Sequence, residues 1–453
     1  MSTTTPQHVS ALHIESQGLA PVTAANAHGR PRALFGLWMA ANIEFATLTT
    51  GALATGVFGL SGMSALIAIL IGNVIGGLIL AAFSTYGVEY GVPQMIQGSV
   101  WFGKLGNRLP SLLNCFGGFS WFGVNTIIGG YALATVLHTP LIPNIIVLCA
   151  VQVAIAFVGH DLIQAAEKYF FYLLVAIFAI FTAITATHIP SLPPAQPKLL
   201  ANVGGQSGAF ILTTSVILSY VLGWIPYSSD YTRYLSHLGK RDQVQKTVFG
   251  SVFWGSMISC IWMEGLGAVI GATVSLSHPS DLFTAWLPGW FKLPLIIAII
   301  IGTISANILN IYSAALSALA VGLKLKQWQA AVLTGLIGTV ISVLAATNFM
   351  KNYESFLFFL GYWAAPWAAI VFIGHTSKRV ARIPSISAGF VAWIVGIAAS
   401  VPFFNQYPLF VGFVANKHPE WGDISFAVSA VVASIAYFAL TTSAPAYSTA
   451  VAE

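Results

Sequence analysis

Residues 120–130 read SWFGVNTIIGG and lie in an apolar run from Leu112 to Leu137 that carries no charged side chain. Four residues are just over one helical turn, so Gly117, Trp121, Asn125 and Gly129 fall on one stripe of a helix. An indole offers a stacking face, a carboxamide a directed donor and acceptor, and glycines let neighbouring helices approach. Together they could hold something flat with a polar edge. Three other stretches carry related chemistry. Residues 37–60, LWMAANIEFATLTTGALATGVFGL, hold Asn42, Glu44, threonines and Gly51 in mid-run. Residues 211–235, ILTTSVILSYVLGWIPYSSDYTRYL, place Gly223 to Pro226 where proline should stop a helix by removing a donor and clashing with the preceding turn. Residues 302–319, GTISANILNIYSAALSAL, gather Gly302, Thr303, Ser305, Asn307 and Asn310.

Such residues need elements that carry them into an apolar setting. Charged residues make up 7% of the chain, hydrophobic residues 57%, and mean hydropathy is +0.81, which marks an integral membrane protein. The apolar runs recur at about 20 residues, the bilayer span of a helix, with no ten-residue alternation of the barrel kind. Twelve spans are expected: 33–60, 62–86, 112–137, 141–159, 166–187, 208–231, 247–273, 293–321, 329–347, 354–374, 385–404 and 424–442. With both termini cytoplasmic, 14 of the 18 basic residues fall on the inner side, as the positive-inside rule requires. The fold class is therefore all-α, multi-pass, in the cell membrane.

Polar residues within hydrocarbon often serve only to bond neighbouring helices, and glycine or proline kinks occur without any ligand. The clustering favours a site. Spans one and six both break amid polar side chains, and each opens a five-helix half. Matched breaks suggest a five-plus-five inverted repeat with substrate near the midplane. The expected organisation is a disordered cytoplasmic tail (1–30), a first repeat (31–187), a second repeat (208–374), two further helices (385–442) and a cytoplasmic tail (443–453).

Several classes are disfavoured. The net charge of +5 reflects topology, and no basic run with interleaved aromatics suggests nucleic acid. Residues 1–30 lack the apolar core of a signal peptide. Cys115, Cys149 and Cys260 fall within spans without a CxxC, which argues against disulfides and thiolate metal sites. The histidines read as tail or loop residues without HExxH, so a membrane metalloenzyme and a resident cofactor are not expected. Among acidic residues, Asp230 reads as an ion pair with Arg233 or a gate element, while Glu44 and Glu264 lie deeper. Glu44, at a break, is the stronger candidate for cation coupling.

WFGVN in span three, GWIPYSSDYTRY in span six, SANILNIYS in span eight and YGVPQMIQGSVWFGKLGN after span two resemble the nucleobase:cation symporter-1 family over about residues 30–440. LWMAAN with TGALATGVFGL is most similar to its purine-cytosine permease branch. The resemblance implies a leucine-transporter-type fold, alternating access and a heterocycle sandwiched between Trp121 and Trp224. It implies Asn42, Asn125 and Asn307 as edge-reading amides, with Asn310 an added candidate. It implies import of cytosine or a related base by proton or sodium symport. Carriage of allantoin, hydantoin or a hydroxymethylpyrimidine, and substrate sensing without flux, remain alternatives. Where relatives have an arginine before the FG of PQM…FG, this chain has Ser99. Sodium-coupled relatives use span-one carbonyls and span-eight hydroxyls; Ser305 and Gly302 fit such a cradle, but Ala306 removes one hydroxyl, whereas Glu44 offers a proton route. Residue types leave the oligomeric state open.

If the two indoles sandwich a heterocycle, Trp121→Ala or Trp224→Ala should abolish saturable uptake of labelled base while the protein still reaches the membrane. Phenylalanine at either position should keep part of the affinity, because a π face remains. Unchanged affinity in both alanine variants rules the sandwich out.

Overall fold

The apolar runs fold as helices, the conformation that satisfies each backbone N–H and C=O within its own segment. The computed structural model describes residues 17–156, 160–284, 286–381, 387–406 and 409–443. In chain order the helices are α1 (Ala33–Asn42), α2 (Phe45–Gly56), α3 (Gly62–Tyr90), α4 (Gln94–Gln97), α5 (Ser99–Gly106), α6 (Arg108–Leu137), α7 (Leu141–Ala156), α8 (His160–His188), α9 (Pro197–Asn202) and α10 (Gly205–Trp224). They continue with α11 (Ser228–Thr232), α12 (Arg241–Gly271), α13 (Asp281–Thr284), α14 (Gly289–Val321), α15 (Gln327–Ala345), α16 (Phe349–Ser377), α17 (Ala388–Ser400), α18 (Phe413–Lys417) and α19 (Ser425–Leu440). Among the described residues, seven helical segments are long and apolar enough to cross a membrane, and four further apolar helices are shorter.

The two expected breaks take different forms. Between α1 and α2 the chain opens: Ile43 leaves helical geometry, and Glu44 is extended at φ −145°, ψ 168°. After α10 it tightens instead. Ile225–Tyr227 form a 3-10 turn, α11 follows, and Arg233–Leu235 form a second 3-10 turn, with the cap residues still right-handed. Pro226 sits second in the first 3-10 turn, where its missing donor costs little.

α6 and α14 run against each other, α12 lies over α2 and α3, and α10 is held between α3 and α16. The α2–α12 seam is a backbone approach. A Cβ on Gly51 would enter the Glu264 carbonyl, and one on Gly267 would enter that of Leu48. The small residues of TTGALATG are thus a packing face.

Three expectations change. Residues 1–16 lie outside the described residues, but 17–30 are no loose tail. Val22 is buried; its N–H donates to Gly91 O at 2.9 Å, its carbonyl meets His237 Nε2 at 2.9 Å, and Arg233 donates to Gly18 O at 2.6 Å. At the other end Ser443, expected in the tail, pairs with Arg379 in a short antiparallel ladder, and 444–453 lie outside the described residues. His160, His188 and His375 fall within helix bounds, and His375 Nδ1 lies 2.8 Å from Tyr90 Oη.

Gly51→Leu should lower the thermal midpoint in detergent, because overpacking costs about 1–3 kcal/mol. Gly36→Leu is the control, since a Cβ at Gly36 meets nothing within 4 Å. Equal midpoints for the two variants would contradict the α2–α12 seam.

Candidate functional site

Asn307 joins three helices. Its Nδ2 lies 3.0 Å from each of three acceptors: Phe122 O and Thr126 Oγ1 on α6, and Gln152 Oε1 on α7. A backbone carbonyl can only accept, so the amide must present nitrogen to Phe122 and oxygen to the opposite side. There Oδ1 accepts from Asn125 Nδ2 at 3.1 Å and from Asn310 Nδ2 at 3.2 Å. Asn125 and Asn310 must therefore turn their own oxygens away, and both Oδ1 atoms are buried without a partner. The structure uses Asn307 as the hub that orients the other two amides.

Asn42, at the last turn of α1, repeats the pattern. Its Nδ2 donates to Trp38 O at 2.8 Å, and its buried Oδ1 has no partner. Trp38 and Trp224 meet edge to face at 5.6 Å and 88°, and both indole N–H groups are buried without an acceptor. Unpaired polar atoms in a low-dielectric interior cost about 1–3 kcal/mol each, so these call for an explanation. Three amide oxygens and two indole donors, carried on α1, α6, α10 and α14, form a set able to meet a ligand that both donates and accepts.

Trp121 stands on α6 in edge contact with Tyr220 at 5.3 Å and Phe356 at 5.1 Å. A Cβ at Gly223, next to Trp224, would lie 3.2 Å from Trp121 Nε1, so Gly223 lets the two tryptophan-bearing helices close on each other. Two cavities abut the aromatic partners of this cluster. One of about 270 Å³ is lined by Tyr353 and Phe356, beside Trp121, and one of about 450 Å³ by Tyr231, which contacts Trp38. The expected substrate residues line neither.

Glu44 caps the start of α2 and is buried. Tyr220 Oη donates to its Oε1 at 3.4 Å and lies 2.6 Å from Thr47 Oγ1, while Oε2 has no partner. Gly302 faces this break: a Cβ there would meet Glu44 Cβ at 3.4 Å and Ile43 O at 3.6 Å. Ser305 is buried one turn further along α14. Glu264 is paired with Asn73 across α12 and α3. Asp230 accepts from Gln94 N–H at 2.9 Å, and Arg233 donates to Tyr312 Oη at 3.1 Å. Among the described residues, no group of three or more His, Cys, Asp or Glu side chains could hold a metal.

Sequence reading missed Trp38, Gln152 and Tyr220. Trp38 was within reach, being four residues before Asn42 on the same stripe.

Residues 21–429 match the family described as permeases for cytosine/purines, uracil, thiamine and allantoin. The chain belongs to this family, the nucleobase:cation symporter-1 family. The Bacillus subtilis YxlA protein, named as a candidate purine-cytosine permease, is 29% identical over 95% of this chain and 96% of its own. The purine-cytosine permease fcyB of Emericella nidulans is 24% identical over 95% and 88%. Among solved structures, the family transporter Mhp1, closed with bromovinylhydantoin bound, aligns at TM-score 0.70 and 14% identity over 94% of this chain and 95% of its own. A sodium-coupled sialic acid symporter aligns at TM-score 0.63 and 11% identity over 91% of each chain. The chain is thus a multi-pass membrane permease of nucleobase type with the fold of these transporters.

The hub and the edge should separate on mutation. Asn307→Ala strands partners on three helices and should lower the thermal midpoint, each orphaned group costing about 1–3 kcal/mol. Asn125→Ala should instead change the ranking of competing bases with a smaller stability loss. A uniform affinity loss in Asn125→Ala would assign that residue to packing.

Proposed function

We propose that this permease imports cytosine or a related purine or pyrimidine base by cation symport with alternating access. The observation that carries the reading is the set of buried, unpartnered atoms: Asn42, Asn125 and Asn310 Oδ1 with Trp38 and Trp224 Nε1. A nucleobase has two π faces and an edge of alternating donors and acceptors, so it can satisfy both amide oxygens and indole N–H groups while stacking on a ring. Base stacking on an aromatic side chain is worth about 1–3 kcal/mol. Asn307 acts through Asn125 and Asn310, as a positioning residue. The names of the fungal and bacterial relatives support the substrate class.

On this reading the chain spans the membrane twelve times as a five-plus-five inverted repeat with two added helices, both termini cytoplasmic. The distribution of arginine and lysine supports that orientation. The ligand meets the chain as a free base, with no nucleic acid and no cofactor, in the lipid bilayer.

For coupling, the geometry favours a proton at Glu44. Its carboxyl sits at the open break, one oxygen toward Tyr220 and the other unpartnered, beside Gly302 and the end of α1. Sodium near Ser305 is the competing arrangement; hard cations prefer several oxygen ligands, and Ala306 supplies none from its side chain.

Proteoliposome uptake of labelled cytosine, with a competing panel of adenine, guanine, uracil, allantoin and hydantoin, tests substrate and flux together. An inward proton gradient should raise uptake, and choline in place of sodium should leave it unchanged. Glu44→Gln should lose concentrative uptake yet keep exchange of base across the membrane. Saturation with sodium, and a raised sodium requirement in Ser305→Ala, would transfer coupling to the cradle on α14.

A further inference from the structure

The cavity of about 450 Å³ at the start of α1 has a lining unlike that of the amide cluster. Arg30, Arg32 and His28 stand on one side, Phe171 and Tyr172 of α8 on another, and Gly36 on its α1 wall. Its described lining contains no carboxylate. Among the described residues, neither Arg30 nor Arg32 has an ion pair or a side-chain hydrogen bond. Two guanidiniums two residues apart, with no counter-charge among the described lining residues, repel each other and attract an anion into the space between.

The backbone does not supply the recognition. The first N–H groups of α1 are already bonded, Ala33 to Arg30 O at 2.9 Å, Leu34 to Pro31 O at 3.3 Å and Phe35 to Arg32 O at 3.2 Å. Recognition falls to the arginines, whose planar forks match the oxygens of phosphate. Beneath them the wall is apolar and aromatic, and Tyr172 is 65% exposed. A bare inorganic ion would leave that wall wet; an anion with an apolar or aromatic body would cover it.

We propose that this cavity binds a phosphate-bearing ligand, its phosphate between Arg30 and Arg32 and its body against Phe171 and Tyr172. Two sources share the chemistry: an anionic phospholipid, whose headgroup suits basic pockets between membrane helices, and a soluble nucleoside monophosphate. The cavity lies on the cytoplasmic side only if the proposed orientation holds, but anion binding does not depend on it. Tyr231, also in the lining, is in edge contact with Trp38 at 6.3 Å and donates to Leu309 O at 2.9 Å, so the cavity adjoins the helices of the amide cluster.

The test uses the full chain in phosphatidylcholine nanodiscs, with no base and no gradient present. One arm titrates cytidine 5′-monophosphate by calorimetry, with cytidine as the phosphate-free control. The other replaces a fraction of the lipid with phosphatidylglycerol and counts retained lipids by native mass spectrometry. At least one arm should saturate at one ligand per chain, and which one does identifies the source. Arg30→Gln with Arg32→Gln should weaken that binding about tenfold or more, and the double lysine variant should keep part of it. Lys240→Gln with Arg241→Gln, which removes exposed charge outside the cavity, should bind as wild type. Gly36→Phe fills the cavity from a position where a Cβ meets nothing within 4 Å, so it should abolish binding with both arginines present and the fold intact. No saturable binding in either arm overturns the site. So does wild-type affinity in the double glutamine variant or in Gly36→Phe. Each result leaves the transport reading standing, because uptake is not the readout.

Discussion

One hydrogen bond sets the polarity of the amide cluster: Asn307 Nδ2 to the carbonyl of Phe122. A carbonyl accepts and never donates, so that contact removes the freedom an asparagine ordinarily has to exchange its two ends. With nitrogen fixed toward α6, the oxygen faces Asn125 and Asn310, and each must give it a hydrogen. The two free amide ends are then both acceptors. Reversing the first bond would present two NH₂ groups instead and favour a ligand of opposite edge pattern. Thr126 Oγ1 and Gln152 Oε1 also lie 3.0 Å from Asn307 Nδ2, but a hydroxyl and a carboxamide can each donate or accept, so the Phe122 carbonyl alone fixes the choice. On the proposed reading, recognition by Asn125 and Asn310 is set by a residue, Asn307, whose own polar atoms are all engaged within the protein.

A second network explains why two motifs distant in sequence belong together. Gln94, in the YGVPQMIQ stretch, accepts from Ser229 Oγ at 2.6 Å and Ser228 Oγ at 3.0 Å and donates its backbone N–H to Asp230. The loop after α3 thus reads the SSD segment through side chain and main chain at once. α10 ends at Trp224, and the 3-10 turns beyond it leave helical groups in need of partners. Ser228 Oγ supplies one of them, to Ile225 O at 2.8 Å, and Gln94 holds the Ser228 and Ser229 hydroxyls from the other side. The tightened form of this break, against the open form at Glu44, follows from what lies beside each. Gly302 leaves room at the first, and a loop clamps the second.

The broad architecture was legible because lipid admits few solutions: a 20-residue apolar run must satisfy its own backbone, and helix follows. Break positions were legible for local reasons, proline and glycine at Gly223–Pro226 and polar density at Asn42–Glu44. Which amide faces which was not legible. Asn42, Asn125, Asn307 and Asn310 look alike in sequence, and their division into hub and free acceptors depends on a carbonyl of a neighbouring helix. Gln152 was invisible for the same reason, being one polar residue in an otherwise apolar run. Residues 17–30 misled in another way. Their composition is that of a solvated tail, yet the partners that hold them, Gly91, Arg233 and His237, lie far along the chain.

The aromatic side chains bear on how a ligand would move. The cavity lined by Tyr353 and Phe356 adjoins Trp121, and the cavity lined by Tyr231 adjoins Trp38. On the proposed reading, access from either side requires an aromatic contact to open. The contacts are not equivalent. Tyr353 bonds Thr50 Oγ1 at 2.5 Å and Ala46 O at 2.9 Å, both on α2, whereas Tyr231 bonds Leu309 O and Ser313 Oγ on α14, each at 2.9 Å. One barrier is thus tied to the segment after the open break, and the other to the helix that carries Asn307. α1 and α2 meet at Ile43 and Glu44 and both pack against α12, so on the proposed reading a shift of α2 with the first barrier engages the α2–α12 glycine seam as well. The extended residue at position 44 is where the two helices part, and the carboxyl proposed for coupling sits on that same residue.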